Sequence, residues 1–85
     1  MTMKTVVIRI PEGLEGRPVA PLVQEASRYT SRIYIESETR KVNAKSIMGM
    51  MSLTLTKGEA VNVIADGEDE SAAIAGLEAI LGNSK

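Results

Sequence analysis

Apolar positions along the first part of the chain alternate in one segment and recur at helical spacing in the next. Residues 5–10 predict a strand with three apolar side chains on one face: Val6, Ile8 and Ile10. Residues 11–18 hold two prolines and two glycines and predict a loop. The helix that follows, to about Tyr29, has an apolar stripe at Val19, Leu22, Val23 and Ala26.

The second part of the chain predicts a hairpin, a further strand and two helices. Residues 32–36 and 40–43, joined by a polar turn, predict a hairpin, and 60–65 predict a fourth strand that is apolar except for Asn62. Ser46 is in the position of an N-cap for a short helix over 47–53. Asp69 can cap a last helix from Glu70 to about Leu81, whose apolar face contains Ile74, Leu77 and Leu81.

The order β-α-β-β-α-β-α predicts an α/β (α+β) fold in two layers, an antiparallel sheet covered on one face by helices. The chain has 85 residues, which is the size of one domain spanning 1–85.

The amino-acid composition excludes several kinds of catalytic and metal site. The sequence contains no cysteine and no histidine, so thiolate catalysis, zinc–sulfur sites and histidine-based acid–base catalysis are excluded. We expect no metal, no cofactor and no enzymatic activity. A net charge of −1 and only two aromatic residues argue against nucleic-acid binding. No segment has the length of a membrane span or signal peptide, so we expect a cytoplasmic protein without membrane attachment.

Two motifs resemble the phosphocarrier family HPr. Residues 13–18, Gly-Leu-Glu-Gly-Arg-Pro, are similar to its phosphoacceptor segment Gly-Leu-His-Ala-Arg-Pro. Residues 41–53, Lys-Val-Asn-Ala-Lys-Ser-Ile-Met-Gly-Met-Met-Ser-Leu, are similar to the segment around the regulatory serine of HPr from Gram-positive bacteria. The resemblance covers essentially the whole chain, and it implies an open-faced β-sandwich with strand order 1-4-2-3.

One departure from the family changes the expected function. HPr carries a phosphoryl group on the histidine of the first motif, and Glu15 stands at that position here. The chain therefore resembles the catabolite-repression subfamily called Crh, which keeps the serine and lacks the histidine, although that subfamily has glutamine at this position. Glu15 is either a favourable acidic residue near a helix N-terminus or a partial mimic of the charged phosphohistidine.

The resemblance assigns Ser46 as a phosphorylation site in addition to its role as a helix cap. It also assigns partner contacts to Ile47, Met48 and Met51. Exposed methionines make adaptable apolar contacts, which suits this role. The alternative is that these three side chains fill the core, a role that we expect for Met50 or Leu53. Two basic residues complete the predicted partner-binding set, Arg17 and Lys45; Lys45 either orients the phosphate or is simply solvated.

The leading hypothesis is a regulatory protein of carbon catabolite repression and transcription regulation. An HPr kinase/phosphorylase would modify Ser46, and the phosphoprotein would bind a LacI-type catabolite control repressor. One alternative is binding to a metabolic enzyme without phosphorylation, and another is a phosphotransferase-system carrier that uses Glu15 as an acyl-phosphate acceptor. The chain is expected to be a monomer or a weak, domain-swapped homodimer, since its first strand precedes a Pro/Gly-rich loop.

Overall fold

The computed structural model of the chain describes residues 1–9, 19–38, 40–53 and 58–82. Within these ranges it has four strands and three helices, in the predicted order. The elements are β1 (Thr2–Val7), α1 (Val19–Ser27), β2 (Arg32–Glu36), β3 (Lys41–Asn43), α2 (Ile47–Met51), β4 (Ala60–Asp66) and α3 (Glu70–Leu81).

The four strands form one antiparallel sheet in the order β1-β4-β2-β3, which confirms the predicted topology. β4 lies at the centre of the sheet, where it pairs with β1 from Thr2↔Ala65 to Val7↔Ala60 and with β2 from Arg32↔Asp66 to Glu36↔Asn62. The last strand along the sequence therefore joins the first strand to the hairpin.

The helices cover one face of the sheet. Side chains in a strand alternate between the two faces, and every second residue of β2 and β4 is fully buried beneath the helices. The buried residues form a single aliphatic cluster, whose largest members include Ile8, Leu22, Ile33, Ile35, Met50, Val61, Val63, Leu77 and Leu81. Tyr29 is half-buried and packs against this cluster.

β1 lies further toward the N-terminus than the predicted strand 5–10. The apolar pattern does not identify Thr2 and Lys4 as strand residues, but each pairs with β4 and binds a carboxylate of α3 through its side chain. Ile8 is buried as predicted. Its backbone N–H donates a hydrogen bond to the Glu59 carbonyl at 2.8 Å, which extends the pairing of the two segments beyond β1. The predicted loop 11–18 and the inward position of Ile10 lie outside the described residues.

Two helices end earlier than predicted. α1 ends at Ser27 because the next amides, of Arg28 and Tyr29, bond to carbonyls three residues back, as in a 3₁₀ turn. α2 ends at Met51 in the same way, with Leu53 bonded to the Met50 carbonyl. None of the helices in the described ranges has the length and apolarity that crossing a bilayer requires.

Asp69 is at the predicted N-cap position of α3 but does not cap the helix with its side chain. Its carboxylate instead accepts hydrogen bonds from the Thr30 amide at 2.9 Å, the Ser31 amide at 3.0 Å and the Ser31 hydroxyl. This group, the Asp69 clasp, attaches the start of β2 to the start of α3. A side chain at Gly67 would approach the Ser31 Cα to 2.7 Å, so the clasp also requires a glycine there.

We expect the Asp69 clasp to weaken in acid. The pKa of Asp69 is lowered to about 2, chiefly by the Ser31 hydroxyl and then by the Thr30 amide. Aspartate in an unfolded chain titrates near 3.9, so the unfolded chain binds the proton first, and the stabilisation present at neutral pH is lost as the pH falls from about 4 toward 2. Asp69→Asn should lower the free energy of unfolding at pH 7, and its difference from the unsubstituted protein should shrink over that pH range in urea titrations followed by circular dichroism.

Asp66→Asn is the matched control. Its carboxylate is 57% exposed and lies 3.7 Å from the terminal amine, so the change should alter the free energy of unfolding by less than about 1 kcal/mol. A constant difference between Asp69→Asn and the unsubstituted protein from pH 7 to pH 2 would contradict the prediction.

Candidate functional site

Ser46 lies at the start of α2, as the sequence predicted. Its backbone is extended, with φ −100° and ψ 116°, and its Oγ accepts a hydrogen bond from the Gly49 amide at 3.1 Å. Its carbonyl accepts from the Met50 amide at 2.9 Å. The N-cap prediction is therefore confirmed. The capping hydrogen bond fixes the position of the half-buried Ser46 Oγ at the N-terminus of α2.

The turn before Ser46 is fixed by local hydrogen bonds and one buried residue. The Asn43 side chain accepts from the Lys45 amide at 2.8 Å, and the Asn43 carbonyl accepts from the Ser46 amide at 3.1 Å. Between them Ala44 is completely buried, and its amide bonds to the Ile33 carbonyl of β2 at 2.9 Å. Asn43 was not among the predicted site residues, although asparagine before a helix is a recognisable turn signal.

Lys45 has a hydrogen-bond partner in the turn at the end of α1 that the sequence did not indicate. Its Nζ donates to the backbone carbonyl of Tyr29 at 2.7 Å, just beyond the end of α1. A cation is favourable at this end of a helix. Lys45, the residue before Ser46, thus links the start of α2 to the end of α1. Its predicted role in partner binding stays a prediction.

The Tyr29 side chain contacts a charged residue of α1, Glu25. Its hydroxyl donates to Glu25 Oε2 at 2.6 Å, and Arg28 pairs with the other carboxylate oxygen at 3.2 Å. The bond to Tyr29 lowers the pKa of Glu25 and, together with partial burial, raises the pKa of the Tyr29 phenol. Tyr29 thereby connects this ion pair to Lys45, a link that nothing in the sequence indicated.

The apolar side chains of α2 divide between core and solvent. Met50 is completely buried, and Leu53, two residues beyond the end of the helix, is nearly so, as predicted. The other three remain exposed: Ile47 by 49%, Met48 by 81% and Met51 by 65%. These three residues, the α2 surface, lie beside Ser46 and form an apolar area that the core does not use. Their exposure agrees with the predicted contact role, which itself stays a prediction.

Two of the predicted site residues, Glu15 and Arg17, lie outside the described residues. Among the residues that are described, no group of three acidic side chains is arranged to hold a metal ion, and the sequence supplies no histidine or cysteine ligand. The described site is therefore the Ser46 hydroxyl at the start of α2 together with the exposed α2 surface that follows it.

Comparison with known proteins identifies the family of the chain. The family profile described as the PTS HPr component phosphorylation site matches residues 2–83. The HPr-like protein Crh of Bacillus subtilis (strain 168) is 49% identical over 79 residues, which cover 93% of both chains.

Two solved structures extend the similarity to the fold. The crystal structure of HPr from Thermoanaerobacter tengcongensis superposes with a TM-score of 0.91 at 43% identity, covering 99% of this chain and 94% of that one. The crystal structure of Bacillus subtilis Crh, described as a dimer with a swapping domain, gives 0.74 at 49% identity, covering 94% and 92%. The profile match and these similarities show that the chain belongs to the HPr family.

Proposed function

We propose that this protein is a regulatory, Crh-like member of the HPr family, phosphorylated on Ser46 by an HPr kinase/phosphorylase. In this proposal the phosphoprotein is a cytoplasmic corepressor for a LacI-type catabolite control protein in carbon catabolite repression. The observation that carries the proposal is the placement of the Ser46 hydroxyl at the start of α2, directly beside the exposed α2 surface.

Phosphorylation is compatible with the local structure. The capping bond uses Ser46 Oγ as an acceptor, and an ester oxygen remains at that position after modification. A phosphate adds a charge of about −1.5 to −2, and α2 has no acidic residue in its first turn to oppose it. The modification therefore changes the charge of the surface while the helix keeps its place.

The phosphate and the α2 surface would contribute differently to binding. A phosphate next to an arginine or lysine of a partner forms charge-assisted hydrogen bonds, so phosphorylation would strengthen binding. Ile47, Met48 and Met51 supply apolar contact area, and methionine adapts to the shape of the partner. Arg17, carried over from the family motif, would add a further charged contact.

Phosphoryl transfer is a poor fit to this sequence. The chain has no histidine, and Glu15 occupies the position where HPr carries its phosphoryl group. A carboxylate can form an acyl phosphate, but its geometry and reactivity differ from those of imidazole. We propose that the chain has no phosphocarrier activity.

The first prediction concerns the modification itself. With ATP and an HPr kinase from a Gram-positive bacterium, the intact mass should rise by one phosphoryl group, and peptide mapping should place it on Ser46. The phosphoenolpyruvate-dependent donor enzyme of the phosphotransferase system should add none.

Ser46→Ala should abolish the labelling, and Ser52→Ala is its matched control. Ser52 ends the same helix, where its hydroxyl donates to the Gly49 carbonyl at 2.6 Å. Because Ser46→Ala also removes the cap, it should lose about 1 kcal/mol of stability, so its fold is checked by circular dichroism. Labelling of Ser52 in place of Ser46, or a hydroxylamine-labile label from the donor enzyme, would contradict the proposal.

The second prediction concerns binding to a purified LacI-type catabolite control protein. The phosphorylated form should bind more tightly than the unmodified form, and added salt should weaken the complex because it screens the phosphate contact. Met48→Ala should weaken binding about tenfold, equivalent to about 1.4 kcal/mol, through lost apolar contact. Isothermal titration calorimetry at two salt concentrations measures both effects.

Met3→Ala is the matched control for Met48→Ala. Met3 is also an exposed methionine, but it belongs to β1 and is remote in sequence from α2, so its removal should leave the affinity unchanged. Equal affinity of the phosphorylated protein and Ser46→Ala would favour the alternative function, phosphorylation-independent binding to a metabolic enzyme.

We also propose that the chain forms a strand-exchanged homodimer through β1. β1 is an edge strand held by six residue pairs to β4, and the same pairs can form with β4 of a second copy. The similar Crh structure is described as a swapped dimer. The proposal predicts a dimeric mass by light scattering that returns to the monomeric mass only slowly on dilution, because the β1–β4 pairing must break first; a monomeric mass at every concentration would contradict it.

A further inference from the structure

The three methionines of α2 differ sharply in their access to solvent. Met48 is 81% exposed and Met51 is 65% exposed, whereas Met50, which lies between them in the sequence, is completely buried. Met48 and Met51 are three residues apart in the helix and are therefore neighbours on its surface. Dissolved reagents can thus reach the thioether groups of two of these methionines, and the core protects the third.

Oxidation is the characteristic reaction of an exposed thioether. The sulfur lone pair attacks one oxygen of hydrogen peroxide, the O–O bond breaks, and a sulfoxide forms. The sulfur loses two electrons and the peroxide gains them, and the second oxygen leaves as water after taking the proton of the first. Methionine sulfoxide reductases reverse the change. The sequence contains no cysteine, so no thiol competes as a reversible site of oxidation.

Oxidation of the two exposed methionines leaves the anchors of α2 in place. The helix is held by the buried residues Ala44 and Met50 and by the Ser46 cap. Neither Met48 nor Met51 belongs to the aliphatic core cluster or packs against it as a partly buried residue. The oxidised protein should therefore keep its fold and the orientation of Ser46.

The same reaction changes the α2 surface itself. Two of its three apolar side chains become polar, and a sulfoxide oxygen without a hydrogen-bond donor is costly to remove from water. Phosphorylation of Ser46 adds charge and leaves the apolar area intact. Oxidation adds no net charge and removes apolar area. The two modifications act on adjacent groups and should have opposite effects on binding.

We propose that Met48 and Met51 are sites of reversible oxidation by peroxide, and that their sulfoxides weaken binding through the α2 surface without unfolding the protein. The position of the two sites follows from their exposure beside the buried Met50. The effect on a partner rests on the proposed function. Binding through this surface then requires a phosphate on Ser46 and reduced methionines next to it.

Timed exposure of the protein to hydrogen peroxide, followed by peptide mapping by mass, tests the two sites. Met48 and Met51 should each gain one oxygen at least about tenfold faster than Met50, because the reaction requires access to the sulfur. The circular dichroism spectrum should not change during their oxidation. Oxidation of Met50 as fast as that of Met48 would overturn the proposal.

A double variant, Met48→Leu with Met51→Leu, keeps apolar side chains of similar size that peroxide does not oxidise. Peroxide should shorten the retention of the unsubstituted protein on hydrophobic-interaction chromatography more than that of the double variant, and the reductases should restore it. This measurement needs no partner. The affinity of the phosphorylated protein for the catabolite control protein should fall about tenfold on oxidation, whereas the double variant should keep its affinity.

Met3→Leu is the matched control because Met3 is 59% exposed but belongs to β1, so this variant should still lose affinity on oxidation. Unchanged retention and affinity after complete oxidation of Met48 and Met51 would also overturn the proposal. Failure of the reduced phosphoprotein to bind the catabolite control protein would instead contradict the proposed function. In that case the oxidation rates and the chromatographic retention still decide whether oxidation alters the α2 surface.

Discussion

The pairing of β4 with both of its neighbours is the constraint on which the rest of the structure depends. β4 aligns β1 on one side and β2 on the other, and Val61, Val63 and Ala65 turn toward the helices. A slip of one residue would exchange these apolar side chains with Asn62 and its neighbours on the opposite face. The one-sided apolar pattern therefore fixes the register, and the register places the ends of the hairpin where α2 and α3 begin.

α2 is stabilised by its contacts with the rest of the fold more than by the helix propensity of its own residues. Five residues are far too few to hold a helix in water, where about 12 to 15 are marginal. Three anchors compensate: buried Ala44 before the helix, the Ser46 cap at its start and Met50 within the core. With these anchors in place, the remaining apolar side chains of α2 are directed into solvent. The exposed surface beside Ser46 thus exists because the core holds the other side of the helix.

The helix layer carries the groups of the proposed function: Ser46, the α2 surface and the chain of contacts from Lys45 to Tyr29 and Glu25. The sheet positions this layer through the pairings of β4 and through the buried residues of β2 and β4.

The sequence by itself determined the order of the elements, the bounds of β2, the cap at Ser46 and the absence of histidine chemistry. These depend on local periodicity, on one turn's hydrogen bonding or on residue identity. Only the tertiary structure decided the start of β1, which is set by its pairing with β4. It likewise decided the partners of Asp69 and Lys45, which lie 38 and 16 residues away in Ser31 and Tyr29. A charged side chain bonds to whichever backbone groups the fold brings near, and that proximity is not encoded in its immediate neighbours.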